Sequence, residues 1–308
     1  MRRMMAEDEA RREPTLSPTT AVHIRGWSGG GEAEARRFGE RILTLTHEYS
    51  RWLDLSRLSR IVLAADYRAA VAEVASVDGE ANVATANEFA EAAATALMTV
   101  EEGALRSVLV AWTPMMLRMF DDLDSVEKRS ALQAFVHELV HVDDQAFLDK
   151  TFPGGAMAAV ESDDRHGALL LMVSPAQSEY SATSRTAMIE PSAGFEFLDL
   201  LERTIGDATS DVRRQRRLYR IGDISLETFW PWVQERCRFI FQALGYAVGH
   251  ADGILNNERA DEALKERFRT RLKTIEAMEL GWLVAETRAA VQPIMERGAG
   301  PGWRLSIR

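Results

Sequence analysis

The sequence predicts an α+β, predominantly helical fold, with a small sheet packed on one long helix and a helical C-terminal part over about 195–295. Three observations carry this. Short β-rich runs occur at residues 60–65 and in the pair 96–100 and 105–112, the pair reading as a hairpin. Leu132, Phe135, Val136, Leu139 and Val140 form an apolar stripe at spacings of 3, 4 and 7, which marks a half-buried helix. Beyond Phe195 the helical periodicity continues with short breaks to about Gln292, with no repeat, no heptad run and no shift of composition that separates a second domain.

The elements follow in order. Residues 1–31 are charged, then rich in Pro, Ser, Thr and Gly, and predict a disordered tail. Residues 32–308 are read as a single domain. From Glu32 to about Leu55, Phe38, Ile42, Leu45, Tyr49 and Leu53 recur at helical spacing, and His47 falls on this helix as a surface or boundary residue. After the run at 60–65, Asp66 opens an Ala-rich helix to about Ala75, and the stretch from Asp78 to Thr95 fits helix or strand. Thr113-Pro114 starts a short helix to about Phe120. Asp124 or Ser125 caps the next helix, with Glu127 in its first turn, and Phe152-Pro153-Gly154-Gly155 ends it. Ser174-Pro175 reads as a further helix start.

Composition excludes several classes. The 308 residues are 46% hydrophobic, enough to bury a sizeable core. A net charge of -10 argues against nucleic acid as the main partner. The single Cys237 can form no internal disulfide and no Cys-rich zinc site. The first residues lack the apolar core of a signal peptide, and no apolar run reaches the roughly 20 residues of a membrane span. A cytoplasmic protein without membrane or nucleic-acid partners is expected; the oligomeric state is left open. The basic cluster Arg213-Arg214-Gln215-Arg216-Arg217 reads as a solvated helix face.

Chemistry concentrates in His137-Glu138-Leu139-Val140-His141. Two histidines four apart on a helix share one face, so both rings can reach one metal ion. Glu138 projects beside them, where it can take a proton from a water activated by the metal. With only 6 His in the chain, the motif inside a helical stripe is unlike a chance match. Catalytic zinc takes three protein ligands and a water. Glu179, early in the helix after Ser174-Pro175, is the choice for the third, because its neighbours Ala182, Thr183 and Thr186 are small enough to let that helix come close. Glu161 is the rival carboxylate, 20 residues after His141, and His166 is a further candidate. Tyr180, Tyr246 and His250 are candidate oxyanion donors, with His250 more simply structural. Asp144, one turn past His141, is placed to orient a ligand or to sit solvated.

His137-Glu138-Leu139-Val140-His141 with the downstream Glu179-Tyr180-Ser181-Ala182 resembles the zincin metallopeptidases of gluzincin type. It is most similar to bacterial proteins that carry an H-E-L-x-H helix and a later E-Y-x-A segment. The likeness covers about residues 55–255, and the N-E-x-x-S-D setting of the thermolysin-like branch is absent. It implies a zinc peptidase with a polypeptide substrate, in which Glu138 is the general base and His137, His141 and Glu179 bind Zn2+. A strand ahead of the motif helix would pair with the substrate through its free edge. A zinc-bound regulatory or protein-binding module with little turnover is the alternative, and a helical interaction protein without metal a third possibility.

Overall fold

Strand β2 (Leu58–Ala64) forms at the first β-rich run, and in the computed structural model it is an inner strand of a four-stranded mixed sheet of order β1-β2-β6-β5. β1 (Ala21–Arg25) and β6 (Ala104–Trp112) flank it in parallel, and β5 (Ala94–Glu101) pairs antiparallel with β6 at the edge. The structure describes residues 13–76, 86–87, 90–91, 93–151 and 164–298. The predicted hairpin is β5–β6. Its two-residue turn, Glu102-Gly103, takes positive φ at both positions, the backbone twist that lets two strands close tightly. A short antiparallel pair, β3 (Ala86–Asn87) and β4 (Ala90–Glu91), lies in the stretch that sequence alone leaves between helix and strand.

β1 corrects the predicted tail. Residues 1–12 lie outside the described residues, but the rest of that stretch is built into the fold. Thr15 donates its N–H to Ser50 O at 3.1 Å and its hydroxyl to Leu53 O at 2.7 Å. Val22 and Ile24 come within 3.6 Å of the position a Cβ would take on Gly39 of α1 (Glu32–Tyr49). Five residues with three apolar side chains, one of them only an alanine, give little pattern by themselves. The strand is stabilised by what it meets.

Side chains alternate across the sheet and sort the helices. Val62, Ala64, Leu97, Val108 and Val110 pack with Tyr67, Ala70, Val71 and Val74 of α2 (Tyr67–Ser76) on one face. Ile61, Leu63 and Leu109 point to the other face, in register with Val22 and Ile24, so α1 lies there. Each such fully buried aliphatic side chain contributes about 1.5–3 kcal/mol. After α3 (Thr113–Arg118) comes the motif helix α4 (Val126–Thr151). Ser125 caps it, its Oγ accepting from Lys128 N–H at 3.2 Å. α4 is fixed to the α1 face of the sheet: Ser107 donates to Gln145 at 2.6 Å, Asp54 N–H donates to Asp143 at 2.6 Å, and Arg57 pairs with Asp149.

The chain divides into two compact units, Met1–Ala156 and Met157–Arg308, rather than the single domain predicted for residues 32–308. The second unit buries a core of its own. α5 (Asp164–Thr186), α6 (Ala193–Ile221), α7 (Leu226–Leu255), α8 (Glu262–Glu276) and α9 (Trp282–Gly298) enclose Leu198, Leu201, Leu244, Val248, Phe268 and Ile275. α6 to α9 are the helical C-terminal part predicted for about 195–295. α5 starts ten residues before the predicted Ser174 cap and runs through Pro175, which costs one backbone hydrogen bond but does not end the helix. No helix among the described residues is long and apolar enough to cross a membrane.

Candidate metal centre

α4 delivers the two histidines as its periodicity requires. His137 Nε2 and His141 Nε2 are 3.0 Å apart, with ring centroids 4.7 Å apart and planes at 85°. Two imidazole ligands on a tetrahedral zinc, each at about 2.0–2.1 Å, stand about 3.3 Å apart. The pair therefore has the spacing of a chelate. His137 is 9% exposed and His141 is half-buried.

Glu138 is tied to the sheet. Its Oε2 accepts the backbone N–H of Ala96 at 2.7 Å. That N–H is available because of register. Trp112 N–H bonds Ala93 O, and Ala96 lies opposite Leu109 three positions on. Hydrogen-bonded and open pairs alternate along an antiparallel ladder, so the backbone groups of Ala94, Ala96 and Met98 face away from β6. Nothing in the sequence marks Ala96 for this role; the choice is made by strand pairing.

Glu179 is placed by the contact of α5 with α7. Gly245, Gly249 and Gly253 recur every four residues and bring the backbone of α7 against α5. A Cβ at Gly245 would lie 2.7 Å from Ala176 O and 2.7 Å from Glu179 Cβ. Thr183 packs on α7, its hydroxyl 2.7 Å from Glu179 O and 3.2 Å from Gly245 O. Gln242 Nε2 donates to Glu179 Oε1 at 3.1 Å. Gln242 is buried, and the only sequence signal for its position is the G-x-x-x-G-x-x-x-G run beside it, which announces a close helix contact there.

The ligand atoms of His137, His141 and Glu179 lie within 4.8 Å of one another, and this group could hold a metal ion. Two imidazoles and a carboxylate are a donor set that suits a borderline divalent cation. Glu161 lies outside the described residues, and so does the side chain of His166.

The remaining candidates have other work. Tyr180 donates its hydroxyl to Asp252 Oδ2 at 2.9 Å, and burial followed by the Asp252 carboxylate holds its pKa well above the usual phenol range. Asp252 is also gripped by Arg288 through Nε and Nη2, at 2.8–3.1 Å. Tyr180 is thus a strut of the helical core, not an oxyanion donor. His250 is fully buried, with Nε2 3.2 Å from Pro191 O and its ring edge-on to Phe197, and burial pushes its pKa down to about 4. Tyr246 stacks on Phe197 at 5.3 Å, with its hydroxyl 3.4 Å from Gln242 Nε2. Asp144 is half-buried on α4, and His47 is a surface residue 3.9 Å from Glu48. Cys237 is half-buried.

A groove of about 480 Å³ runs between β1 and α1, lined by Thr20, Val22, Ile24, Gly39 and Leu43 among others. It contains none of the candidate residues. No protein-family model, no curated protein and no solved structure matches the chain.

Proposed function

We propose that the chain is a zinc-dependent peptidase of the zincin kind, acting on polypeptides. The observation that carries this reading is the grouping of His137, His141 and Glu179, with Glu138 between the histidines and tied to an edge strand. Zinc bound there would supply Lewis acidity and lower the pKa of a water toward about 7. His137 and His141 would bind as neutral imidazoles and Glu179 as a carboxylate. Glu138 takes the proton of the attacking water and returns it to the leaving amine. The outward backbone groups of Ala94 and Met98 align an extended substrate along β5, the Ala96 N–H between them being taken by Glu138.

The test is metal analysis of the purified full chain together with peptide hydrolysis. About one zinc per chain is expected, lost in His137→Ala, together with cleavage of unfolded casein that Glu138→Gln abolishes. Protein that binds no zinc overturns the reading. Zinc binding without any cleavage leaves a metal-bound module and removes the peptidase.

A further inference from the structure

The four-stranded sheet has two edges, β5 and β1. At β5 the outward N–H of Ala96 is taken by Glu138. β1 bonds its only neighbour through Arg25 O, which accepts from Ala65 N–H at 3.1 Å. Alternate residues of a strand turn their backbone groups to opposite sides, so Ala21, His23 and Arg25 face β2 while Val22 and Ile24 point their N–H and C=O outward. Among the described residues no hydrogen bond reaches these outward groups. Edge strands are commonly blunted by a proline, a bulge or an outward charge. β1 has no proline and an unbroken register with β2, and Arg25 at its end pairs with Glu73.

Beside this edge runs the groove of about 480 Å³ between β1 and α1. Val22, Ile24, Ala35, Gly39 and Leu43 give it an apolar floor. Its rim carries Glu32, Arg36 and Glu40, four apart on one face of α1. Arg36 pairs with Glu32 at 3.2 Å. Glu40 is exposed, and among the described residues no ion pair engages its carboxylate.

We propose that the β1 edge binds an extended polypeptide as a fifth strand, with apolar side chains in the groove and a lysine or arginine on Glu40. Three observations choose this occupant. Outward N–H and C=O groups two residues apart are the pattern that the backbone of an extended chain completes. The groove lies on the face to which every second side chain of such a strand would point. Glu40 offers a carboxylate to a cation, whereas an anionic ligand would meet Glu32, Glu40 and a net charge of -10. A second copy of this chain fits less well. Pairing β1 with β1 would set two α1 helices, each lying on its own β1 through Gly39, over strands only about 4.8 Å apart, where packed helices stand about 8–10 Å apart. The groove is independent of the metal centre, being built from the edge of the sheet opposite to the one that holds Glu138.

The experiment is fluorescence anisotropy of a capped, labelled peptide, Lys-Thr-Val-Thr-Val-Thr-Lys, titrated with the full chain. Its valines share one face of a strand, and a lysine at each end reaches Glu40 in either chain direction. A dissociation constant of about 100 µM or below is expected, unchanged in His137→Ala because no metal takes part. Val22→Pro removes an outward N–H without touching the β1–β2 ladder and should weaken binding at least about tenfold, with an unchanged circular dichroism spectrum. Glu40→Lys, at an exposed helix position, should also weaken it about tenfold and should bind the charge-reversed peptide Glu-Thr-Val-Thr-Val-Thr-Glu in its place. No binding by the parent at about 1 mM, or binding indifferent to both substitutions, overturns the proposal. So does binding that Met98→Pro removes and Val22→Pro spares, which would lie at β5, or a chain that pairs with itself, seen as a doubled mass in sedimentation that Val22→Pro halves.

Discussion

Ala96 donates its backbone N–H to Glu138 Oε2 at 2.7 Å, so the orientation of the residue between the two histidines is set by an edge strand rather than by its own helix. Glu138→Gln should retain the metal and lower hydrolysis by about 10²–10⁴-fold, the usual contribution of a general base. Ala96→Pro removes the donor while leaving the β5–β6 ladder intact, because that N–H faces away from β6. Its circular dichroism should match the parent while its kcat falls and its metal content does not. Full activity in the proline variant would show that the tie does not orient Glu138.

Gln242 should act on the metal through Glu179. Its amide holds Oε1 at 3.1 Å, and partners of this kind typically contribute about 10–100-fold in metal affinity. Gln242→Leu keeps the volume approximately and deletes the donor. Competition with a colorimetric zinc chelator should show weakened binding of that size, with little change in the denaturation midpoint. Unaltered affinity would mean that α5 packing alone fixes the carboxylate.

Two glycines should respond oppositely to the same substitution. At Gly245 an added methyl meets Ala176 O and Glu179 Cβ at 2.7 Å, and backbone oxygen cannot move aside. Gly245→Ala should cost about 1–3 kcal/mol by overpacking and displace Glu179 as well. At Gly206, also within a helix, the added methyl meets only Met278 Cε at 3.4 Å, the end of a flexible side chain. Gly206→Ala should stabilise the protein by about 0.5–1 kcal/mol through the lower entropy of its unfolded chain. Urea denaturation of the two variants checks both signs.

What the sequence makes legible is what neighbouring residues decide. His137 and His141 share a face because they are four apart, and β5–β6 closes because Glu102-Gly103 tolerates positive φ. β1 escapes detection because five residues carry little pattern and its burial depends on Gly39, well outside the strand. The helix start at Ser174-Pro175 fails because packing against α7 carries α5 through its proline, although Ser-Pro alone favours a start. Gln242 and Glu179 are 63 residues apart, and Ala96 and Glu138 are 42 apart, so neither pair leaves a local trace. The division into two units is hidden for a similar reason: both halves have the same ordinary mixture of residues, and only the contacts separate them.

Acid should weaken the helical unit through His250. Burial is the main cause that lowers its pKa from 6.5 to about 4, while the hydrogen bond to Pro191 O and the nearby Glu190 carboxylate oppose that shift only in part. The unfolded chain therefore binds a proton between about pH 4 and 6.5 that the folded chain does not. Stability rises with pH across this window and levels off above it, where the imidazole is neutral in both states. A shift of this size corresponds to about 3 kcal/mol over the whole window, to order of magnitude. His250→Gln retains a donor for Pro191 O but cannot titrate. Denaturant unfolding from pH 4.5 to 8 should show a slope in the parent that is markedly reduced in the variant, even though the variant is less stable at neutral pH from its poorer fit against Phe197 and Phe268. Equal slopes in both proteins would place the acid sensitivity elsewhere and leave His250 without a part in it.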